Sequence, residues 1–168
     1  MLKCCRGYSQ ISIPSQARNA THPIRMFMQA TTGVPNPLRL VLYIEDNLSN
    51  IALVEELLSR REGLQLMSSR TGVDGVAMAT AHSPEVILMD INLPDISGMD
   101  ALLCLRKNAD TANIPVMALS SNAYPKQIEE GLEAGFFRYL TKPFKFAEFE
   151  AALDACLECA AKRHVPLR

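Results

Sequence analysis

No aspartate or glutamate precedes Glu45, although Lys3, Arg6, Arg18, Arg25 and Arg39 all do. With 17 basic and 18 acidic residues in the whole chain, the part beyond Arg39 is acidic, and a nucleic-acid role is not expected. No apolar run approaches the roughly 18 residues of a membrane span, and no secretory hydrophobic region follows the early Lys and Arg. Neither a membrane nor an extracellular setting is implied. Five cysteines, an odd number, do not make a disulfide framework, so a reducing cytoplasm is the simpler location. Cys156 and Cys159 spell C-x-x-C, but within a predicted helix and with no second pair or nearby His, which argues against zinc or redox chemistry. Cys104 and Cys156 fall at helix core positions. What the chain does have is 168 residues at 48% hydrophobic, enough for one domain with its own core and some excess.

Residues 1–38 hold no sustained period, scatter Ser, Thr, Gln and Asn, and close on Pro35-Asn36-Pro37; they read as a disordered leader or linker. Their basic makeup also fits a transit peptide, Cys4-Cys5 an acylation site, and Met26 or Met28 a later start. From Leu38 the pattern changes. Leu38–Ile44 is a strand running into Glu45-Asp46-Asn47, and Ile51, Val54, Leu57 and Leu58 recur at helical spacing up to Gly63. Gln65–Ser69 is a second strand, and Thr71 to Asp74 has the spacing of a capping box, opening a helix that points Val76, Ala77 and Ala81 inward. Val86-Ile87-Leu88-Met89 is an apolar run without alternation, as in a strand buried on both faces, and it ends at Asp90.

Ser97 and Asp100 repeat the cap spacing before a helix carrying Met99, Leu102, Leu103 and Arg106. Pro115–Leu119 is the fourth strand, followed by a helix with Pro125 in its first turn, Ile128 and Leu132 inward, and Gly135 past its end. Phe136–Leu140 is the fifth strand. The last helix spans Phe146 to about Ala161, with Phe149, Ala152, Leu153, Cys156 and Ala160 inward. Five strands alternating with five helices predict an α/β fold: a doubly wound, flavodoxin-like parallel sheet in order 2-1-3-4-5 with helices on both faces. That order gathers Glu45, Asp46, Asp90, Ser120 and Lys142 on the carboxyl rim of the sheet.

Carboxylates converging on one rim repel each other, and a hard divalent cation with oxygen ligands relieves the repulsion. Magnesium is implied. A carboxylate oriented beside it can attack phosphorus, while Lys142 offers a point charge and Ser120 a hydroxyl to a phosphoryl group. The chemistry points to an aspartyl phosphate on Asp90.

The segments Y-I-E-D-N, V-I-L-M-D-I-N-L-P-D-I-S-G, P-V-M-A-L-S-S-N-A and Y-L-T-K-P-F together resemble the receiver domain of two-component response regulators, from about Arg39 to Ala161. The pattern is similar in particular to receivers of hybrid sensor histidine kinases, and a stand-alone receiver carries the same features. The resemblance implies a receiver over residues 39–162 with a short tail at 163–168. It makes Asp90 the phosphoacceptor, Asp46 a magnesium ligand, Glu45 an acidic neighbour acting through water and Asn92 a backbone-carbonyl ligand, with Mn2+ able to substitute. Ser120 and Lys142 contact the phosphoryl group, Ser120 and Tyr139 act as the switch, and Asn92 and Asn122 tune hydrolysis. The Lys142-Pro143 bond is expected to be cis. Ser120 stands where threonine is commoner and Ser121 where a small residue such as alanine is usual.

The implied phosphoryl donor is a sensor histidine kinase or a histidine phosphotransfer protein. About seven residues follow the last helix, so output is expected to pass to a protein partner through residues 125–134, the fifth strand and the last helix. Such a domain modifies itself and turns over no free metabolite. Taken one at a time, Lys142 also reads as a turn lysine, Tyr139 as a half-buried strand residue and Ser120-Ser121 as a helix cap. The competing functions are a phosphorylation-independent partner-binding pseudo-receiver, an Asp-nucleophile phosphohydrolase and a flavodoxin-like cofactor binder. The hydrolase would need a second Asp where Asn92 stands. The cofactor binder would place a phosphate against Glu45 and Asp46.

Overall fold

The computed structural model describes residues 38–121 and 124–163. The readings made for residues 1–37, for Asn122 and for the tail beyond Arg163 lie outside the described residues. Strands β1 (Arg39–Ile44), β2 (Leu64–Ser69), β3 (Val86–Asp90), β4 (Val116–Ser120) and β5 (Arg138–Thr141) alternate with helices α1 (Leu48–Ser59), α2 (Gly72–His82), α3 (Gly98–Lys107), α4 (Pro125–Ala134) and α5 (Phe146–Arg163). The strands form one parallel sheet in order β2-β1-β3-β4-β5, the doubly wound arrangement expected.

Strand side chains alternate between faces, so each central strand feeds two cores. Val41, Tyr43, Val86, Leu88, Met117 and Leu119 meet Val54 and Leu58 of α1 and Phe149, Leu153 and Cys156 of α5. Leu42, Ile44, Ile87, Met89, Val116 and Ala118 meet Ala79 of α2 and Ala101, Leu102 and Leu105 of α3 on the other face. The absence of polar alternation in β3 and β4 follows from this two-sided burial: all five residues of each are buried.

Local signals start α1, α2 and α3 and close α4 as read, whereas α1 ends at Ser59 with Arg60 as its cap, short of Gly63. Asn47 caps α1 through Ser49 and Asn50, Thr71 caps α2 through Asp74, and Ser97 caps α3 through Asp100. Gly135 closes α4 at φ 113°, a conformation that favours glycine. The Lys142-Pro143 bond is cis.

Three side chains, Ala77 and Ala81 of α2 and Leu132 of α4, face the opposite way from the expectation, and Leu103 of α3, for which no facing was expected, is exposed as well. In α2 the buried positions are Gly72, Gly75 and Ala79, and in α4 the buried position is Gly131. Glycine carries no hydrophobic signal, so an apolar periodicity skips it and settles on the neighbouring alanine or leucine. Boundaries moved slightly as well: β4 starts at Val116, β5 at Arg138, and α5 continues to Arg163.

Candidate functional site

Register places the rim. Ile44 pairs with Met89, Asp90 with Leu119, and Ser120 with Thr141, so Glu45, Asp90, Ser120 and Lys142 emerge at one edge of the sheet. The backbone N–H of Lys142 donates to the Ser120 carbonyl at 2.7 Å, tying the loop after β5 to the end of β4. Oxygens of Glu45, Asp46 and Asp90 lie within 4.8 Å of one another. Three acidic oxygens at that spacing fit a hard divalent cation, which takes carboxylate and carbonyl ligands.

The two buried carboxylates are treated differently. Glu45 is 1% exposed, accepts from the Tyr43 hydroxyl at 2.6 Å and meets Lys142 Nζ at 2.5 Å. Burial alone would push its carboxyl up, but the hydrogen bonds from Lys142 and Tyr43 outweigh it and hold Glu45 below the ordinary carboxylate range. For Asp90, burial dominates and pushes the carboxyl up; Lys142 opposes this from 3.4 Å, and the Glu45 charge adds to it. The opposite directions follow from Lys142 standing closer to Glu45. Asp46 is less buried than either.

The β3–α3 loop is held at both ends. The Gly98 N–H donates to the Ile91 carbonyl at 2.9 Å, and a Cβ on Gly98 would stand 2.5 Å from the Asp90 carbonyl oxygen, so only glycine permits this close return. At its middle, Asp95 accepts from the backbone N–H groups of Gly72 and Val73, both at 2.8 Å, at the start of α2. Asn92, between those anchors, is exposed, and its N–H reaches Asp90 Oδ1 at 3.4 Å. Ser120 is buried, and Tyr139 is half-buried with its ring edge-on to Phe136. A cavity of about 380 Å³ opens between Tyr43, Leu53, Val54, Lys142, Pro143 and Phe144. A second, of about 190 Å³, lies between Asn92, Met99, Ser120, Gln127 and Tyr139.

The structure thus brings Glu45, Asp46, Asp90, Asn92, Ser120 and Lys142 to one rim, with Tyr139 beside Ser120. Sequence reasoning passed over Tyr43 and Asp95. Tyr43 stands two residues before Glu45, after the aliphatic run Leu40–Leu42, and therefore on the same face, a spacing that could have flagged it. Burial, and then its bond to Glu45, push its phenol far above the ordinary range, so it remains a donor. The C-x-x-C pair lies on α5, where burial pushes the Cys156 thiol up to about 12.

The model of the response regulator receiver domain matches residues 41–154. The polar-differentiation response regulator DivK of Brucella ovis is 31% identical over 117 residues, covering 70% of this chain and 94% of that protein. The receiver domain of sensor histidine kinase PA1611 from Pseudomonas aeruginosa PAO1, solved with magnesium in its active-site cleft, is 32% identical. It superposes with a TM-score of 0.65 over 71% of this chain and 98% of that one. The Mn2+-bound form of response regulator Rcp1 is 25% identical, with a TM-score of 0.57 over 77% of this chain and 99% of that one. In fold, in the convergence of acids on the rim and in sequence, this chain belongs to the response regulator receiver domains of two-component signalling.

Proposed function

We propose that Asp90 accepts a phosphoryl group from a phosphohistidine of a sensor histidine kinase or a histidine phosphotransfer protein, and that the domain catalyses this transfer and the slow hydrolysis of the resulting aspartyl phosphate, which frees Asp90 and inorganic phosphate. The observation that carries the reading is a carboxylate at the end of a fully buried central strand, flanked by two further acids and by Lys142. An Asp90 oxygen forms the new bond to phosphorus as the phosphorus–nitrogen bond breaks, and the imidazole leaves with the electron pair and takes up a proton. Asp46, Asp90 and the Asn92 carbonyl would hold the cation, with Glu45 acting through water. When bound, Mg2+ or Mn2+ offsets the negative charge gathering on the phosphoryl oxygens; the metals in the PA1611 and Rcp1 structures support that choice.

Lys142 then releases part of its hold on Glu45 to face the phosphoryl oxygens, and the Ser120 hydroxyl donates from the other side. Asn92 and Asn122 tune hydrolysis. Ser120 and Tyr139 act as the switch, and α4, β5 and α5 present the result to a protein partner. Asn92 supports this over hydrolase chemistry, because an amide does not serve as the general acid. No disulfide joins the described cysteines, Cys104, Cys156 and Cys159, which supports a cytoplasmic setting.

The test is intact mass after incubation with acetyl phosphate and magnesium, beside Asp90→Asn and a chelated control. One phosphoryl adduct, lost in both controls, is expected. A protein that binds magnesium yet takes no adduct would be a partner-binding pseudo-receiver. Steady phosphate release from an unrelated phosphomonoester would make it a hydrolase.

A further inference from the structure

Gly131 is the buried residue of α4, a helix that otherwise faces largely outward. Its backbone is ordinary helix, so no turn or left-handed conformation requires glycine there, and helix propensity alone would favour alanine. The reason lies across the interface. A Cβ at position 131 would meet Tyr139 Cε2 at 2.9 Å and Cδ2 at 3.0 Å, so the phenol ring occupies the space a side chain would need. Phe136 stands edge-on to the same ring, with centroids 6.3 Å apart, and is 3.5 Å from the same hypothetical Cβ. The ring also borders the cavity of about 190 Å³ that lies between Gln127 and Glu130 of α4 on one side and Ser120 and Asn92 on the other.

We propose that Gly131 sets the resting position of the Tyr139 ring: the missing side chain gives the ring a seat against α4, and filling that seat drives it into the cavity beside Ser120. The proposal deepens the switch reading above and rests on it. A ring seated against Gly131 leaves the cavity open, and a ring in the cavity stands next to the hydroxyl assigned to the phosphoryl group. A methyl at 131 biases the equilibrium toward the second arrangement before any phosphoryl group arrives. By linkage, a ligand that favours that arrangement then binds more tightly. Gly131 is a positioning residue: it touches no reacting atom and acts through Tyr139.

The experiment uses the full chain labelled with 3-fluorotyrosine, with the Tyr139 fluorine signal assigned by its loss in Tyr139→Phe. In Gly131→Ala with magnesium alone, that signal is expected to move toward the position it takes in the parent protein with magnesium and beryllofluoride. The beryllofluoride concentration for half-saturation should fall by about fivefold, at the low end of typical couplings. An unmoved signal, or one moving toward the position of free fluorotyrosine, overturns the proposal.

Thermal melts supply a second arm. Alanine at 131 should raise Tm in a Tyr139→Ala background, where the ring is gone, and raise it less or lower it in the parent. Equal shifts in the two backgrounds, or unfolding in both, overturn the steric contact; unfolding only where Tyr139 is present supports it. If beryllofluoride leaves the parent's Tyr139 signal unchanged while Asp90 still takes its adduct, the switch reading fails, and the magnesium-only signal still decides whether Gly131 seats the ring.

Discussion

Lys142→Met is expected to destabilise the metal-free domain severely, and to do so in a pH-dependent way. The substitution keeps an unbranched stem of similar length and removes the cation that lies between two buried carboxylates. Lys142 Nζ lies 2.5 Å from Glu45 and 3.4 Å from Asp90, with side chains 14%, 1% and 8% exposed in turn. Removing one partner of a buried ion pair costs about 3–5 kcal/mol, because the surviving charge stays desolvated and unpaired. Here two carboxylates survive, and Glu45 keeps neutral donors, the Tyr43 hydroxyl, the Asn47 N–H at 3.2 Å and the Asn50 side chain, but loses the charge of Lys142, so a cost within that range is expected. Against a total stability of about 5–15 kcal/mol, the loss brings the domain near its limit.

The sign with pH follows from Glu45. Its carboxyl is held below the ordinary value of 4.5, so the stability it contributes is present above that value and is lost as pH falls through the folded-state value. In Lys142→Met the same carboxyl loses its cation and becomes easier to protonate, which relieves the buried charge on acidification. Both changes shrink the difference between variant and parent as pH falls. Urea unfolding followed by circular dichroism, in EDTA at neutral pH and again in the carboxylate range, measures it. A deficit below about 1 kcal/mol at neutral pH, or one independent of pH, would refute the idea that Lys142 neutralises a buried acidic pair.

Asp90→Asn should stabilise the metal-free protein at neutral pH, since burial makes the native carboxylate costly. Because the Asp90 carboxyl is raised from 3.8, the gain should vanish as pH drops below that value; a loss of stability at neutral pH would contradict it. Magnesium should raise the Tm of the parent and shift Asp90→Asn much less, and chelation should reverse the effect; equal shifts in both proteins would place the cation elsewhere. Asp95→Ala removes the acceptor of two N–H groups at the start of α2 and should cost about 0.5–2 kcal/mol, typical of a lost helix cap. Although burial pushes the Asp95 carboxyl up, the N–H groups of Val73 and Gly72 hold it below 3.8, so the deficit should fade only as pH falls through that depressed value in acid melts. With its thiol pushed up to about 12, Cys156 should resist iodoacetamide in native protein at pH 8 and react on unfolding; rapid native alkylation at Cys156 would show that α5 opens.

The strands and the order of the rim residues could be read from the chain because both depend on local, repeated features. An apolar run such as Val86–Met89 has few places to go other than a strand covered on both sides, and Thr71, Ser97 and Gly135 mark helix ends through their own backbone bonds. The strand alternation, through the right-handed crossover rule, then put Glu45, Asp90, Ser120 and Lys142 on one edge. Where glycine forms the contact, as at Gly75 and Gly131, the periodic signal went silent and the inward faces of α2 and α4 were misphased. Those contacts depend on Ile44 and Tyr139, which belong to other elements and lie beyond the reach of a helical period.

By itself, then, the sequence determined the doubly wound sheet, the family and the set of residues on its rim. Tertiary structure alone decided how those groups share charge: that Tyr43 and Lys142 hold Glu45 ionised while burial raises Asp90, that Asp95 reaches back to cap α2, and that Tyr139 rests against a glycine. The physical reason is one of range. Strand and helix signals repeat every two to four residues, whereas the seat of a ring depends on how a helix and a strand pack, and the pairing of a buried charge joins groups scores of residues apart, such as Glu45 and Lys142.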